Sequence, residues 1–154
     1  MAVEVGDVAP DFTLKDQNNQ DVTLSQFKGD KAALVVFYPL AFSGVCSGEL
    51  CSLRDELPTF QNDQVQVLTI SVDSVFTHKA WAMAENFDFP LLSDFWPHGE
   101  VANAYGIFDE RRGTALRGTY LIDTEGIVRW RTVNDARTPR NQGDYLAAIK
   151  TLDA

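Results

Sequence analysis

Cysteine is scarce in this chain: two in 154 residues, at positions 46 and 51. Histidine is as rare, again with two. So little sulfur excludes a disulfide-stapled scaffold and any zinc site built on paired C-x-x-C motifs. His78 and His98 stand at no ligand-like spacing to each other or to the cysteines, so no metal and no cofactor is implied. Basic residues are few as well. Thirteen Lys and Arg face 22 Asp and Glu, a formal net charge of −9, which argues against nucleic acid or an anionic membrane surface as partner. No apolar run approaches the ~20 residues that span a bilayer. The opening "MAVEVGDVAPDF" lacks the basic flank and apolar core of a secretory signal. A cytoplasmic location is therefore expected, where both cysteines rest as thiols. Repeats, low-complexity tracts and linkers are missing too, and the length suits one domain over residues 1–154.

What is present alternates strand with helix. "DFTLKDQNNQDVTLSQF" holds two short alternating pieces about the turn-rich residues 16–20 and predicts a hairpin. "KAALVVFYP" is a continuous apolar run ending at Pro39, the pattern of a strand buried on both faces. From Val45 the period changes: Val45, Leu50, Leu53, Leu57 and Phe60 recur at helical spacing. "VQVLTISVD" predicts a second buried strand and "THKAWAMAENF" a helix, with Trp81 in the core. "FPLLSDFWPHG" reads as an irregular aromatic segment, followed by a short helix at "GEVANAYG". "GTYLIDTEGIVRWRTV" predicts a hairpin about residues 124–126, and "QGDYLAAIKTL" an amphipathic helix. The sum is an α/β fold: a central mixed β-sheet flanked by helices, compatible with a thioredoxin-like core that carries an added N-terminal β-hairpin.

Reactive groups in open α/β sheets gather where strands end and helices begin. Cys46 sits at such a place, in the first turn of its predicted helix, where unpaired amides and the helix dipole favour a thiolate. Position alone leaves two readings open, a nucleophilic thiol and a small buried hydrophobe. The neighbours favour the first. Pro39 stiffens the strand exit, Ser43 offers a hydroxyl three residues before the sulfur, and Gly44 permits close backbone approach. Histidines 78 and 98 read as exposed helix and loop residues. Phe42, Phe95 and Trp96 lie in irregular segments that seldom hide aromatics completely, and they suit either the wall of a pocket or a dimer seam.

Pro39, Ser43 and Cys46 in "PLAFSGVC" resemble the peroxiredoxin signature P-x-x-x-T/S-x-x-C, with serine in place of the commoner threonine. "GDVAPDFTL", "FPLLSD" and "RGTYLID" extend the similarity along most of the chain, and "LSDFWPHG" looks most like the alkyl hydroperoxide reductase E subgroup. The resemblance implies a thiol peroxidase that reduces hydrogen peroxide and organic hydroperoxides through a Cys46 sulfenic acid. It implies a pocket from Phe42, Gly44, Val45 and Trp96, with Ser43, the first helical amides and Arg117 as donors to the reacting oxygens. Glu49 then either orients Arg117 or merely complements the helix dipole. A homodimer and a thiol reductant are implied as partners, the reductant being a thioredoxin- or mycoredoxin-like protein or a low-molecular-weight thiol. A peroxide-sensing signalling protein would use the same sulfenic acid and stays as an alternative. Thioredoxin-type exchange wants two residues between its cysteines, and four intervene here.

Cys51 follows Cys46 at the spacing of the bacterioferritin-comigratory, or Q-type, peroxiredoxins, whose second cysteine resolves the sulfenic acid after local unfolding. In an intact helix five residues give a rise of ~7.5 Å and side chains about 140° apart. The Cα separation of roughly 8 to 9 Å exceeds the ~7 Å that a disulfide spans. Resolution by Cys51 therefore requires unwinding, which Gly48 eases by about 1 kcal/mol. The alternative is a core cysteine filling a leucine-like slot.

Overall fold

The computed structural model describes residues 2–135 and 137–152. Its centre is a strand whose six residues are all buried, β3 (Ala32–Phe37). It pairs in parallel with β4 (Val65–Ser71) on one side and antiparallel with β8 (Arg117–Ile122) on the other. Beyond β4 lies β5 (Leu91–Ser93), and beyond β8 lies β9 (Val128–Asn134). The predicted hairpin forms as β1 (Thr13–Lys15) against β2 (Asp21–Thr23), and β1 pairs antiparallel with β5 at Lys15↔Ser93. The order is thus β2-β1-β5-β4-β3-β8-β9, a mixed sheet.

Side chains two apart on a strand share a face, and β3 divides the interior accordingly. Ala33, Val35 and Phe37 join Leu68, Ile70, Tyr120 and Ile122 beneath helix α4 (Glu100–Ala104), where Ala102 and the following Tyr105 are buried. Ala32, Leu34 and Val36 face the longer helices, α1 (Gly44–Asp55), α3 (Val75–Glu85) and α5 (Gln142–Thr151). Those helices contribute Cys46, Leu50 and Leu53, then Trp81 and Ala82, then Tyr145 and Ala148 to one cluster. Helices therefore cover both faces, and Trp81 lies in the core as its pattern predicts.

Three local features differ from the sequence reading. The helical spacing from Val45 to Phe60 covers two helices. The first stops at Glu56 (φ −121°, ψ 27°), and a single turn, α2 (Leu57–Phe60), carries Pro58, which has no N–H to continue the ladder. The segment read as irregular contains β5, three residues long and too short to show a period. A further two-residue pair, β6 (Phe108–Asp109) with β7 (Thr114–Ala115), gave no sequence signal for the same reason. The β8–β9 turn is where expected: the Asp123 carboxylate accepts the Glu125 and Ile127 amides, and Gly126 supplies φ +85°. Among the described residues no helix is long and apolar enough to cross a membrane.

Candidate active site

The buried end of β3 delivers the chain to a tight approach before α1. Tyr38 extends the parallel ladder through its amide to the Ile70 carbonyl (3.0 Å), and Pro39 then ends the pairing. In the turn that follows, Phe42 takes the left-handed region at φ +67°, uncommon for a bulky residue. Ser43 is extended (φ −72°, ψ 151°) and caps α1 through its carbonyl, which accepts the Ser47 amide at 2.8 Å. Its hydroxyl donates to the Leu40 carbonyl (3.0 Å). The amides of Gly44, Val45 and Cys46 begin the helix, where no preceding turn supplies carbonyls to them. Cys46 is the third helical residue, fully buried beside Leu34, Val36, Tyr38, Leu50 and Trp81.

Three residues beyond Cys46, one turn along α1, the buried Glu49 carboxylate gathers two guanidiniums. Arg117 at the start of β8 donates from Nη1 to Oε1 at 2.6 Å. Arg140, just before α5, grips both oxygens, Nη2 to Oε1 at 2.8 Å and Nε to Oε2 at 2.9 Å, and its backbone amide adds a third bond at 2.8 Å. Arg140 Nη1 also donates to the Phe37 and Gly118 carbonyls and to Thr119 Oγ1 (2.6, 3.0 and 3.1 Å), tying the helix to β3 and β8. Burial works to raise the Glu49 pKa, but hydrogen bonds and charge from Arg140, with Arg117 behind them, hold it below the ordinary carboxylate value. Burial likewise opposes the charge on Arg140, which the Glu49 hydrogen bond and the nearby Tyr145, Glu49 and Cys46 nonetheless hold above its usual value. Two cations against one anion leave a net positive charge in this buried cluster, one turn along α1 from Cys46.

An open cleft of about 280 Å³ is lined by Pro39, Leu40, Ser43, Gly44 and Val45 and, opposite, by Arg112, Arg117 and Arg137. The structure thus brings Pro39, Ser43, Gly44, Val45 and Arg117 to one cleft; Cys46, next to Val45 in the chain, and Glu49, paired with Arg117, are buried and do not line it. Phe42 and Trp96 do not line it: Phe42 leans on the Trp81 ring at 5.8 Å and is half exposed, like Phe95, while Trp96 is 82% exposed. Cys51 is a free thiol on α1, as is Cys46. It donates to Glu85 Oε2 at 3.3 Å, and burial together with that carboxylate pushes its pKa up. The reading of His78 as exposed is corrected, since its side chain is fully buried at 0% exposure, whereas His98 is exposed and meets the Gly113 carbonyl. His78 lies in the helix carrying Trp81, on the face packed against Tyr38. Among the described residues no group of three or more His, Cys, Asp or Glu could hold a metal ion.

Arg140 escaped the sequence reading altogether. It sits in "RTPRNQGD", a polar stretch where an arginine looks solvated. The available signal was its place two residues before a capped helix, close enough to the sheet to turn inward, and that is weak.

The AhpC/TSA family matches residues 5–131. Alkyl hydroperoxide reductase E of Mycobacterium bovis is 51% identical over 152 residues, 99% of either chain. Among solved structures, the reduced 2-Cys peroxiredoxin of Plasmodium vivax superposes with a TM-score of 0.87 at 34% identity, over 97% of this chain and 81% of that one. Peroxidoxin BcpB of Mycobacterium tuberculosis gives 0.87 at 29% identity, over 99% of both.

Proposed function

This chain belongs to the AhpC/TSA family, the peroxiredoxins, and within it to the alkyl hydroperoxide reductase E subgroup; it is a thiol-dependent peroxidase, and we propose that Cys46 is the atom-bearing nucleophile. The Cys46 thiolate attacks one oxygen of a hydroperoxide along the O–O axis. The O–O bond breaks, the leaving oxygen takes a proton and departs as water or alcohol, and Cys46 becomes a sulfenic acid. A thiol then condenses with it, releasing water and forming a disulfide that a second thiol reduces.

One observation carries this reading: a cysteine in the first turn of a helix, with a buried guanidinium pair that outweighs its single carboxylate. Charge spreading over the attacked and leaving oxygens meets donors fixed beforehand. We assign that role to the first α1 amides and Arg117, joined by the Ser43 hydroxyl once it turns from the Leu40 carbonyl to the substrate, with Glu49 orienting Arg117 and Pro39 stiffening the approach. Gly44 and Val45 shape the cleft. Phe42 and Trp96, which stand outside it, suit the seam of a homodimer better than its wall. The substrate is a peroxide and the reductant a thiol. We take the reductant to be a thioredoxin- or mycoredoxin-like protein or a small thiol in the cytoplasm, where two cysteines rest as free thiols. Cys51 supplies the resolving thiol when α1 unwinds.

Cys46→Ser should abolish peroxide consumption with the thermal melt unchanged. Turnover retained in that variant ends the assignment.

A further inference from the structure

A second buried polar string reaches the Cys46 approach, and the chemistry above makes no use of it. Ser71 closes β4, Asp73 lies in the connection to α3, and His78 occupies the first turns of α3. Ser71 Oγ meets Asp73 Oδ2 at 2.6 Å and His78 Nε2 at 2.7 Å, and the Tyr38 hydroxyl meets the same nitrogen at 3.1 Å. Tyr38, Ser71 and His78 are at most 1% exposed, and the Asp73 side chain 12%. From the far end, the Ala41 amide donates to Asp73 Oδ2 at 2.8 Å.

The protons fix the direction of the string. Ser71 has one hydroxyl hydrogen, and it is donated to Asp73 Oδ2. The His78 Nε2 contacts with Ser71 Oγ and the Tyr38 hydroxyl hold the ring against the string, with donor and acceptor roles set by its tautomer. The string therefore points toward the carboxylate, and the carboxylate toward Ala41.

Ala41 lies midway between Pro39 and Ser43. Its amide ties this turn to the connection between β4 and α3; the Ser43 carbonyl bonds onward to Ser47 in α1, and the Ser43 hydroxyl bond to Leu40 stays inside the turn. The turn carries Phe42 in a left-handed conformation, which persists only where surroundings over-determine it. It also feeds straight into the amides that start α1.

We propose that Asp73 is a positioning residue of the peroxidase: through the Ala41 amide it sets the turn that places Ser43 and the first α1 amides around Cys46, with Ser71 and His78 holding its carboxylate in line. The proposal rests on the Cys46 assignment above. It follows from geometry that a misplacement of an ångström at such donors costs a rate about 10²-fold.

The test measures, on the reduced full-length protein, the second-order rate with hydrogen peroxide and the rate of Cys46 alkylation by iodoacetamide, located by peptide mass spectrometry. Asp73→Ala should slow peroxide at least about tenfold while alkylation, which needs no aligned donors, falls less than about twofold. Asp73→Asn keeps an oxygen for the Ala41 amide and should return the peroxide rate to within about threefold of wild type. Wild-type peroxide kinetics in Asp73→Ala overturns the proposal. So does a parallel fall of both rates, or an Asp73→Asn variant as slow as Asp73→Ala. If Asp73→Ala does not fold, Ser71→Ala decides: a peroxide-specific loss of about threefold or more supports the string, and unchanged kinetics overturns it. A wild-type protein inert to peroxide is a separate outcome, which removes the Cys46 assignment and this proposal with it.

Discussion

Arginine 140 offers the sharpest check on the buried charge cluster. Its guanidinium serves two Glu49 oxygens, two backbone carbonyls and the Thr119 hydroxyl, and it is almost wholly buried. Replacing it with methionine keeps much of the volume and removes every one of those donors. Glu49 would then face only Arg117 and the residue-140 amide, and the carbonyls of Phe37 and Gly118 would lose a cation. Breaking a buried pair in this way costs about 3 to 5 kcal/mol. For a chain of this length that corresponds to a fall in Tm of roughly 6 to 20 °C. Arg140→Lys restores the charge but not the fork, so it should recover less than half of the loss. Peroxide turnover should fall as well, by about 10²-fold, because the charge of the cluster one turn along α1 from Cys46 drops from net positive to neutral. Urea melts of the three proteins with parallel peroxide kinetics read both numbers. A surface arginine would cost within about 0.5 kcal/mol, so a methionine variant less than about 1 kcal/mol below wild type would refute the cluster as the anchor of the site.

Two further predictions concern protons and sulfur. Burial drives the His78 imidazole from 6.5 to about 4, with Asp73 pulling the other way, so the unfolded chain binds a proton that the folded one refuses. Stability should decline as pH falls from about 6.5 toward 4, by about 3 kcal/mol in all. The lowered Glu49 adds its own loss only below the ordinary carboxylate range, and His78→Gln should flatten the upper window in pH-dependent urea melts; an unchanged slope between pH 6.5 and 5 rules out His78 as its source. For Cys51, one equivalent of peroxide should leave an intact chain lighter by two hydrogens, the mass of a Cys46–Cys51 disulfide, whereas a stable single-oxygen adduct would make Cys51 a bystander.

The sequence carried the architecture where its signals were long. β3 and β4 are runs of six and seven residues, and the β8–β9 hairpin has an Asp–Thr–Glu–Gly turn in which the Asp123 carboxylate accepts two backbone amides. It failed where elements were two or three residues long, as in β5, β6 and β7, because no period can be counted there. Within the site, Cys46, Ser43 and Glu49 are close in sequence, so helix spacing alone sets them near one another. Arg117 needed a family motif, since it stands 68 residues from Glu49. Arg140 needed the folded chain, and so did His78: a histidine in an amphipathic helix reads as solvated until Tyr38 and Ser71 are seen to bury and bond it. Long-range polar pairing has no period, and that is why it stays hidden.

The two thiols are protected in different ways, and the difference suggests how they cooperate. Cys46 is shut from solvent by packing, while Cys51 is partly exposed but hydrogen-bonded to Glu85, whose backbone carbonyl and carboxylate also take Arg54 at 2.7 and 3.4 Å. Cys51 and Arg54 lie on adjacent positions of one helical face, so both bonds depend on α1 being wound. A disulfide between Cys46 and Cys51 requires α1 to unwind across that stretch, because the wound helix keeps their Cα atoms about 8 to 9 Å apart. Unwinding would carry Cys51 away from Glu85 and remove the carboxylate that helps keep its proton on. In the two-cysteine reading, the movement that brings the sulfurs together is therefore also the movement that makes Cys51 reactive. With the helix formed, Cys51 stays hydrogen-bonded to Glu85.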